Sequence, residues 1–128
     1  MNGTKYLLDT NAVITALNEG ISLPAADYLV SIITEMELLS FSELTESDEY
    51  LIIRLLEKVR IIGLTHDVKT QAIRIRRQTK LKLPDSIICA TALSEEAVLV
   101  TDDMQMHGMG ACDTKKLSDL LSSDLSND

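Results

Sequence analysis

The chain has 128 residues, 45% of them hydrophobic and 25% charged, with five Gly, two Pro and a formal net charge of −8. That balance excludes a disordered or low-complexity chain, and the length supports one sizeable core rather than two, so residues 1–128 read as a single domain. No apolar stretch reaches the roughly 18 residues of a membrane span, and the start lacks the basic-then-apolar pattern of a secretion signal; the expectation is a cytoplasmic protein without membrane contact.

In chain order, Lys5 to Leu8 (KYLL) is a strand-length apolar run that stops at Asp9, and a helix is expected from Asn11 to Asn18. The segment EGISLPAADYL carries turn residues and one expected helical turn. YLVSII is a second strand, after which a helix begins at Thr34 and runs to about Ser40; Thr34 and Glu37 fit the S/T-x-x-E capping box. ESDEYLIIRLLEKV places apolar residues at 51, 52, 55, 56 and 59, helical spacing with one wet face. RIIGLT is a third strand. HDVKTQAIRIRRQT reads as a helix whose imperfect apolar stripe is Val68, Ala72, Ile73 and Ile75. Pro84 then opens another helix, DSIICATALSEE, with Asp85 or Ser86 as its cap. AVLVT is the fourth strand, and the end carries one short helix followed by a polar tail from about residue 123.

Short apolar strands alternating with helices imply a parallel sheet covered on both faces. In such folds ligands bind outside the carboxyl ends of the strands. Those ends carry acids. Strand one stops at Asp9, strand two leads to Glu35 and Glu37, strand four leads to Asp102 and Asp103, and Asp85 opens the helix feeding strand four. Taken singly, acids in a first helical turn suit the helix dipole. Converging at one sheet edge, they would repel one another unless a hard cation neutralised them, and Mg²⁺ or Mn²⁺ suits oxygen ligands.

The charge is unevenly spread. Between Val68 and Pro84 lie six of the 12 Lys and Arg residues and no acid: Lys69, Arg74, Arg76, Arg77, Lys80 and Lys82. A solvated helix face is the plain reading; a track for a phosphate backbone is the functional one. Cys89 and Cys112 are the only cysteines, and Cys89 in SIICATAL reads as a small buried hydrophobe in a reducing compartment.

The segments LLDTNAVI, SIITEMELLS, KLPDSIICATAL and LVTDD, in that order from about Lys5 to Asp103, resemble the successive signatures of the PIN-domain family. The compact length further resembles the toxin component of VapBC-type toxin–antitoxin pairs. The resemblance implies a three-layer α/β/α sandwich with a central parallel sheet of four to five strands. It also implies a Mg²⁺- or Mn²⁺-dependent endoribonuclease holding one or two ions and leaving 5′-phosphate and 3′-hydroxyl ends. Carried over residue by residue, the catalytic and metal-binding acids fall on Asp9, Glu37, Asp85 and Asp103, with Asp102 as the alternative fourth. Asn11 and Thr101 are supporting polar groups, and Glu35 is an exposed neighbour. The basic run would then contact RNA. An antitoxin protein and a second copy of the chain are the implied partners. Where the family commonly has an aromatic after the last acid, this chain has MQMHGMGAC, with Met106 offered for the apolar slot and His107 read as incidental.

Rival readings differ at particular positions. An aspartyl phosphatase wants a second Asp two residues after the first, where Asn11 stands, and a receiver domain wants an Asp after the third strand, where RIIGLT has none. A noncatalytic module that binds RNA or protein is the remaining alternative.

Overall fold

The computed structural model describes the backbone of residues 3–126 and the side chains of residues 3–122. Five strands form one sheet: β1 (Lys5–Leu8), β2 (Asp27–Ser31), β3 (Arg60–Ile62), β4 (Val98–Val100) and β5 (Thr114–Lys115). All pairings are parallel and the order is β3-β2-β1-β4-β5. Seven helices accompany them among the described residues: α1 (Thr10–Asn18), α2 (Ile32–Leu39), α3 (Glu46–Leu56), α4 (His66–Gln78), α5 (Leu83–Glu95), α6 (Met104–Gly108) and α7 (Leu117–Ser126).

The unbroken apolar runs of the central strands follow from burial on both faces. Successive side chains alternate across a strand, and the sheet sorts them accordingly. Leu7, Leu29 and Leu99 enter one core with Val68, Ala72 and Ile75 of α4, Ile88 and Ala92 of α5, and Met106 of α6. Their neighbours Leu8, Val30 and Val100 enter the other, with Ala12 and Val13 of α1, Ile52 and Leu56 of α3, and Leu117 and Leu120 of α7. The result is the three-layer α/β/α sandwich with a parallel sheet. Residues 86–92 of α5 are all buried, because that helix packs between α4 and the sheet.

Several local expectations are corrected. Strand two ends at Ser31 rather than Ile33, because Ser31 Oγ accepts from Ile33 N at 3.0 Å and caps α2 three residues earlier than Thr34 would. Thr34 therefore lies inside the helix and caps nothing. No helical turn forms between α1 and β2. Neither Asp85 nor Ser86 caps α5; the cap position is Lys82, Pro84 sits in the first turn, and Ser86 Oγ donates back to Lys82 O. The buried stripe of α4 is Val68, Ala72 and Ile75, while Ile73 faces outward at 47% exposure. MQMHG forms the short helix α6, and β5 adds an edge strand that two residues could not announce. The expected polar tail falls mostly outside the residues whose side chains are described, and the α7 backbone runs on to Ser126.

The topology also places the site. From β1 the chain steps outward to β2 and β3, then crosses back to β4 on the other side of β1. The connections reverse between β1 and β4, and a crevice outside the carboxyl ends of those two strands is where such a sheet holds its ligands.

Candidate active site

An open depression of about 460 Å³ lies there, lined by Asp9, Thr10, Asn11, Ile14, Glu37, Ser40, Phe41, Asp85 and Asp103. The structure thus brings together the four acids Asp9, Glu37, Asp85 and Asp103, one each from the end of β1, α2, α5 and the turn after β4. Asp102 is not among them. Its Oδ1 accepts from Leu117 N at 3.1 Å and so satisfies the start of α7, while the side chain is otherwise exposed. Glu35 is half-buried rather than exposed and also lies outside the depression.

Asp9 is 4% exposed and the most heavily hydrogen-bonded acid of the four. As the cap of α1, its Oδ1 accepts from Thr10 N at 2.9 Å. Its Oδ2 accepts from Asn11 Nδ2 at 2.9 Å and from Thr101 Oγ1 at 2.7 Å. A carboxylate has about four lone-pair sites, and three are engaged here, so a vacant one remains on Oδ1. Burial raises the Asp9 pKa most, the hydrogen bonds from Thr101 and Thr10 oppose the rise, and the charges of Glu37 and Asp103 add to it.

Thr101 is fully buried and links three parts of the site: its hydroxyl donates to Asp9 and accepts from Asp103 N at 3.0 Å. Asn11 Nδ2 also reaches Thr101 Oγ1 at 3.2 Å, and Asn11 Oδ1 accepts from Asp102 N at 3.2 Å. Asp103 in turn caps α6, its Oδ1 accepting from Gln105 N at 3.0 Å. His107 is engaged one layer behind. Its Nε2 lies 2.7 Å from Thr101 O and its Nδ1 2.7 Å from Thr114 Oγ1. A carbonyl only accepts, so Nε2 carries the hydrogen, and in the neutral ring Nδ1 accepts from Thr114. The ring ties β4 to β5 and is spent on that task. Met106 fills its apolar slot at 1% exposure.

The helical side is built differently. Glu37 Oε1 accepts from Thr10 Oγ1 at 2.6 Å, and Thr10 Oγ1 stands 3.0 Å from the buried Thr34 Oγ1. From sequence Thr34 reads only as a helix cap, and nothing marks Thr10 as its partner. The usable signal was that Thr34 and Glu37 are three apart on one helix face, which the capping-box pattern explained away. Asp85 takes no hydrogen bond from any described residue. Burial raises its pKa most, then the charges of Asp9, Asp103 and Glu37, with Lys82 alone opposing them.

Lys82 is the residue of the basic run whose charge opposes the rise at Asp85. Lys69, Arg74, Arg76, Arg77 and Lys80 are all exposed. At 3.6 residues per turn, Lys69 and Arg76 share one flank of α4, Arg77 lies opposite the buried stripe and Arg74 lies on the other flank. The run wraps the exposed side of the helix instead of forming a single line. His66, at the start of α4, is exposed, and Thr65 rather than His66 provides the cap.

The donor set is oxygen only, which fits a hard divalent cation and no soft one. Among the described residues, no three acids close into a preformed coordination shell. The four carboxylates surround an open space and would share a cation with water and substrate oxygens, as Mg²⁺ sites commonly do.

In sequence, the profile of the PIN domain matches residues 6–110; among curated proteins none matches. In fold, the chain is similar to a toxin–antitoxin complex from Klebsiella pneumoniae at 25% identity, a TM-score of 0.73, and coverage of 88% of this chain and 97% of that one. It is likewise similar to VapBC2 from Rickettsia felis bound to a DNA fragment from the promoter (20% identity, TM-score 0.76, 88% and 98% covered). A third likeness is VapBC-1 from nontypeable Haemophilus influenzae (22% identity, TM-score 0.74, 90% and 99% covered).

Proposed function

Given that the chain belongs to the PIN-domain family, we propose that it is a divalent-metal-dependent endoribonuclease and the toxin half of a toxin–antitoxin pair. One observation carries this reading. Four carboxylates from four separate segments line a single depression at the β1/β4 reversal, and two of them, Asp9 and Asp85, are held above their ordinary pKa by burial and in part by the charges of other acids of the set.

Asp9, Glu37, Asp85 and Asp103 would hold Mg²⁺ or Mn²⁺, which when bound neutralises phosphate charge and makes water a better nucleophile. The chain's own residues supply the rest. Thr101 and Asn11 fix the position of Asp9, and the hydrogen bond from Thr101 favours its charged form against burial. Thr10 holds Glu37 by its Oε1. Asp85, which takes no hydrogen bond from any described residue, is the acid that can change partners as substrate enters. Lys82 lies close enough to ease its charge, and the exposed basic side chains of α4 would meet an RNA backbone flanking the cleft. The cleft is open to solvent, so a polymer can cross it without a lid.

The kinship in fold with toxin–antitoxin complexes supports a protein partner that neutralises the toxin. Tyr50, Leu51 and Ile53 on α3 are exposed at 58%, 47% and 41%, and such apolar side chains support a face for another chain, the antitoxin or a second copy.

The test compares wild type and Asp9→Asn, purified identically, on a structured RNA with and without Mn²⁺. Cleavage that needs Mn²⁺, leaves 5′-phosphates and disappears in Asp9→Asn is the expected result. Equal cleavage by both proteins would implicate a contaminant. Failure of wild type to bind Mn²⁺ would overturn the metal site and favour a noncatalytic binding module.

A further inference from the structure

Two thiols meet outside the acidic depression. Cys89 is buried on α5, one helical turn past Asp85, and Cys112 is half-buried in the turn between α6 and β5. Both are free, their sulfurs are 2.8 Å apart, and 23 positions separate them in sequence. The segment between them carries Thr101 and Asp103.

We propose that Cys89 and Cys112 are a reversible dithiol–disulfide pair, oxidised by a peroxide, whose bond clasps the segment bearing Thr101 and Asp103 onto the helix bearing Asp85. A disulfide needs its sulfurs at about 2.05 Å, so they must close by less than about 1 Å. Cys112 is the partner able to give way. It follows Gly110, whose φ of 67° makes the turn that delivers the chain to β5, and β5 is a two-residue edge strand. Cys89 sits in the middle of a buried helix and stays put.

The pair also distributes its proton unequally. The sulfur contact holds the Cys89 thiol below its ordinary pKa, and the same contact together with burial holds Cys112 above it. Cys89 as thiolate attacks one oxygen of hydrogen peroxide. The O–O bond breaks, giving a sulfenic acid on Cys89 and hydroxide, which takes the Cys112 proton and becomes water. The Cys112 thiolate then attacks the Cys89 sulfur, forms the S–S bond and expels hydroxide, which takes up the proton Cys89 first released. Two thiols and one peroxide become one disulfide and two waters. With a second thiol in contact, the sulfenic acid is consumed before further oxidation. In a reducing compartment such a pair remains dithiol and closes only transiently.

The test needs no nuclease activity, so it stands or falls separately from the proposed reaction. Reduced full-length protein, freed of reductant, is treated with a slight excess of hydrogen peroxide and followed by intact mass, alkylation and thermal melting. The expected result is a loss of two hydrogens, no alkylatable thiol, a proteolytic fragment joining Cys89 to Cys112, and a melting midpoint about 5–10 °C higher. A thiol reductant should reverse all four. Cys112→Ser and Cys112→Ala should instead gain oxygen on Cys89. Two thiols that still alkylate, or wild-type products limited to oxygen adducts or intermolecular dimers, would overturn the pair. A crosslinked protein with an unchanged midpoint would overturn the clasp.

Discussion

The two halves of the acidic depression are held in opposite ways. On the strand side, Asp9 is tied by Thr10, Asn11 and Thr101, and Asp103 by the backbone of α6 and by Thr101. On the helical side, Glu37 has a hydroxyl partner in Thr10, while Asp85 takes no hydrogen bond from any described residue and feels three like charges. The strand half is organised before anything binds, because the protein itself supplies the donors that make a buried carboxylate tolerable. The helical half is left to be completed from outside. On the proposed reading, the site trades stability at one acid for affinity toward a cation.

The largest expected effect comes from breaking the strand half. Thr101→Val removes the buried hydroxyl that donates to Asp9 and accepts from Asp103 N. It should cost about 2–3 kcal/mol, since the buried Asp9 Oδ2 loses one of its two donors while Asp103 N loses its acceptor. Thr101→Ser should recover most of that. Urea unfolding midpoints of the three proteins decide it, and a Val variant as stable as wild type would dissolve the contrast between the two halves.

The helical half should respond in the opposite direction. Asp85→Asn should raise stability at neutral pH by about 1 kcal/mol, in the range of other activity-for-stability exchanges, while removing metal-dependent cleavage. The pH dependence follows from the sign of the shift. Asp85's pKa is raised, so the folded state holds that proton more tightly than the unfolded state. Its contribution to stability therefore falls as pH rises from the unfolded value of about 3.9 through the folded value. Asn does not titrate, so the advantage of the variant should be greatest at neutral pH and shrink to nothing below about pH 4. Denaturant midpoints across that range measure it directly; an Asn variant less stable than wild type at pH 7 would mean that Asp85 is already satisfied.

The smallest effect sets the scale, since it lies away from both halves. Glu96, the C-cap of α5, has φ 56° and is the only non-glycine with positive φ among the described residues. Glu96→Gly should stabilise by about 0.5–1 kcal/mol, because glycine adopts the left-handed region without steric cost. Cleavage should be unchanged. A melting curve with no gain would show that the Glu side chain earns its place there.

Much of the architecture was legible from the chain. The expected β1 matches the observed one, and α1, α4, α5 and β4 fall within a residue or two of their expected positions, because each carries an apolar pattern or a clear breaker such as Pro84, while α3 starts where expected and ends three residues before Val59. The boundary at Ser31 was misplaced because Ile32 and Ile33 continue the β-branched run past the strand. Only the cap, made by a serine that is itself buried in the strand, ends it. Helix α6 and strand β5 were missed for a related reason. Five residues and two residues are too short for any period, and they exist because Asp103 caps one and Leu99 and Val100 recruit the other.

The sequence by itself determined the sandwich and nominated the acids, since apolar periodicity follows from which side chains must leave water, and the signature segments place a carboxylate after each key strand. Which of the adjacent Asp102 and Asp103 faces the depression was decided by the tertiary structure. The two are neighbours in the same turn, and one reaches the start of α7 while the other reaches the cleft. So were the contacts of the Thr10 and Thr34 hydroxyls, the employment of His107 between two strands, and the meeting of Cys89 with Cys112. Each of these depends on a partner distant in the chain, and such contacts are set by how layers stack rather than by any local pattern.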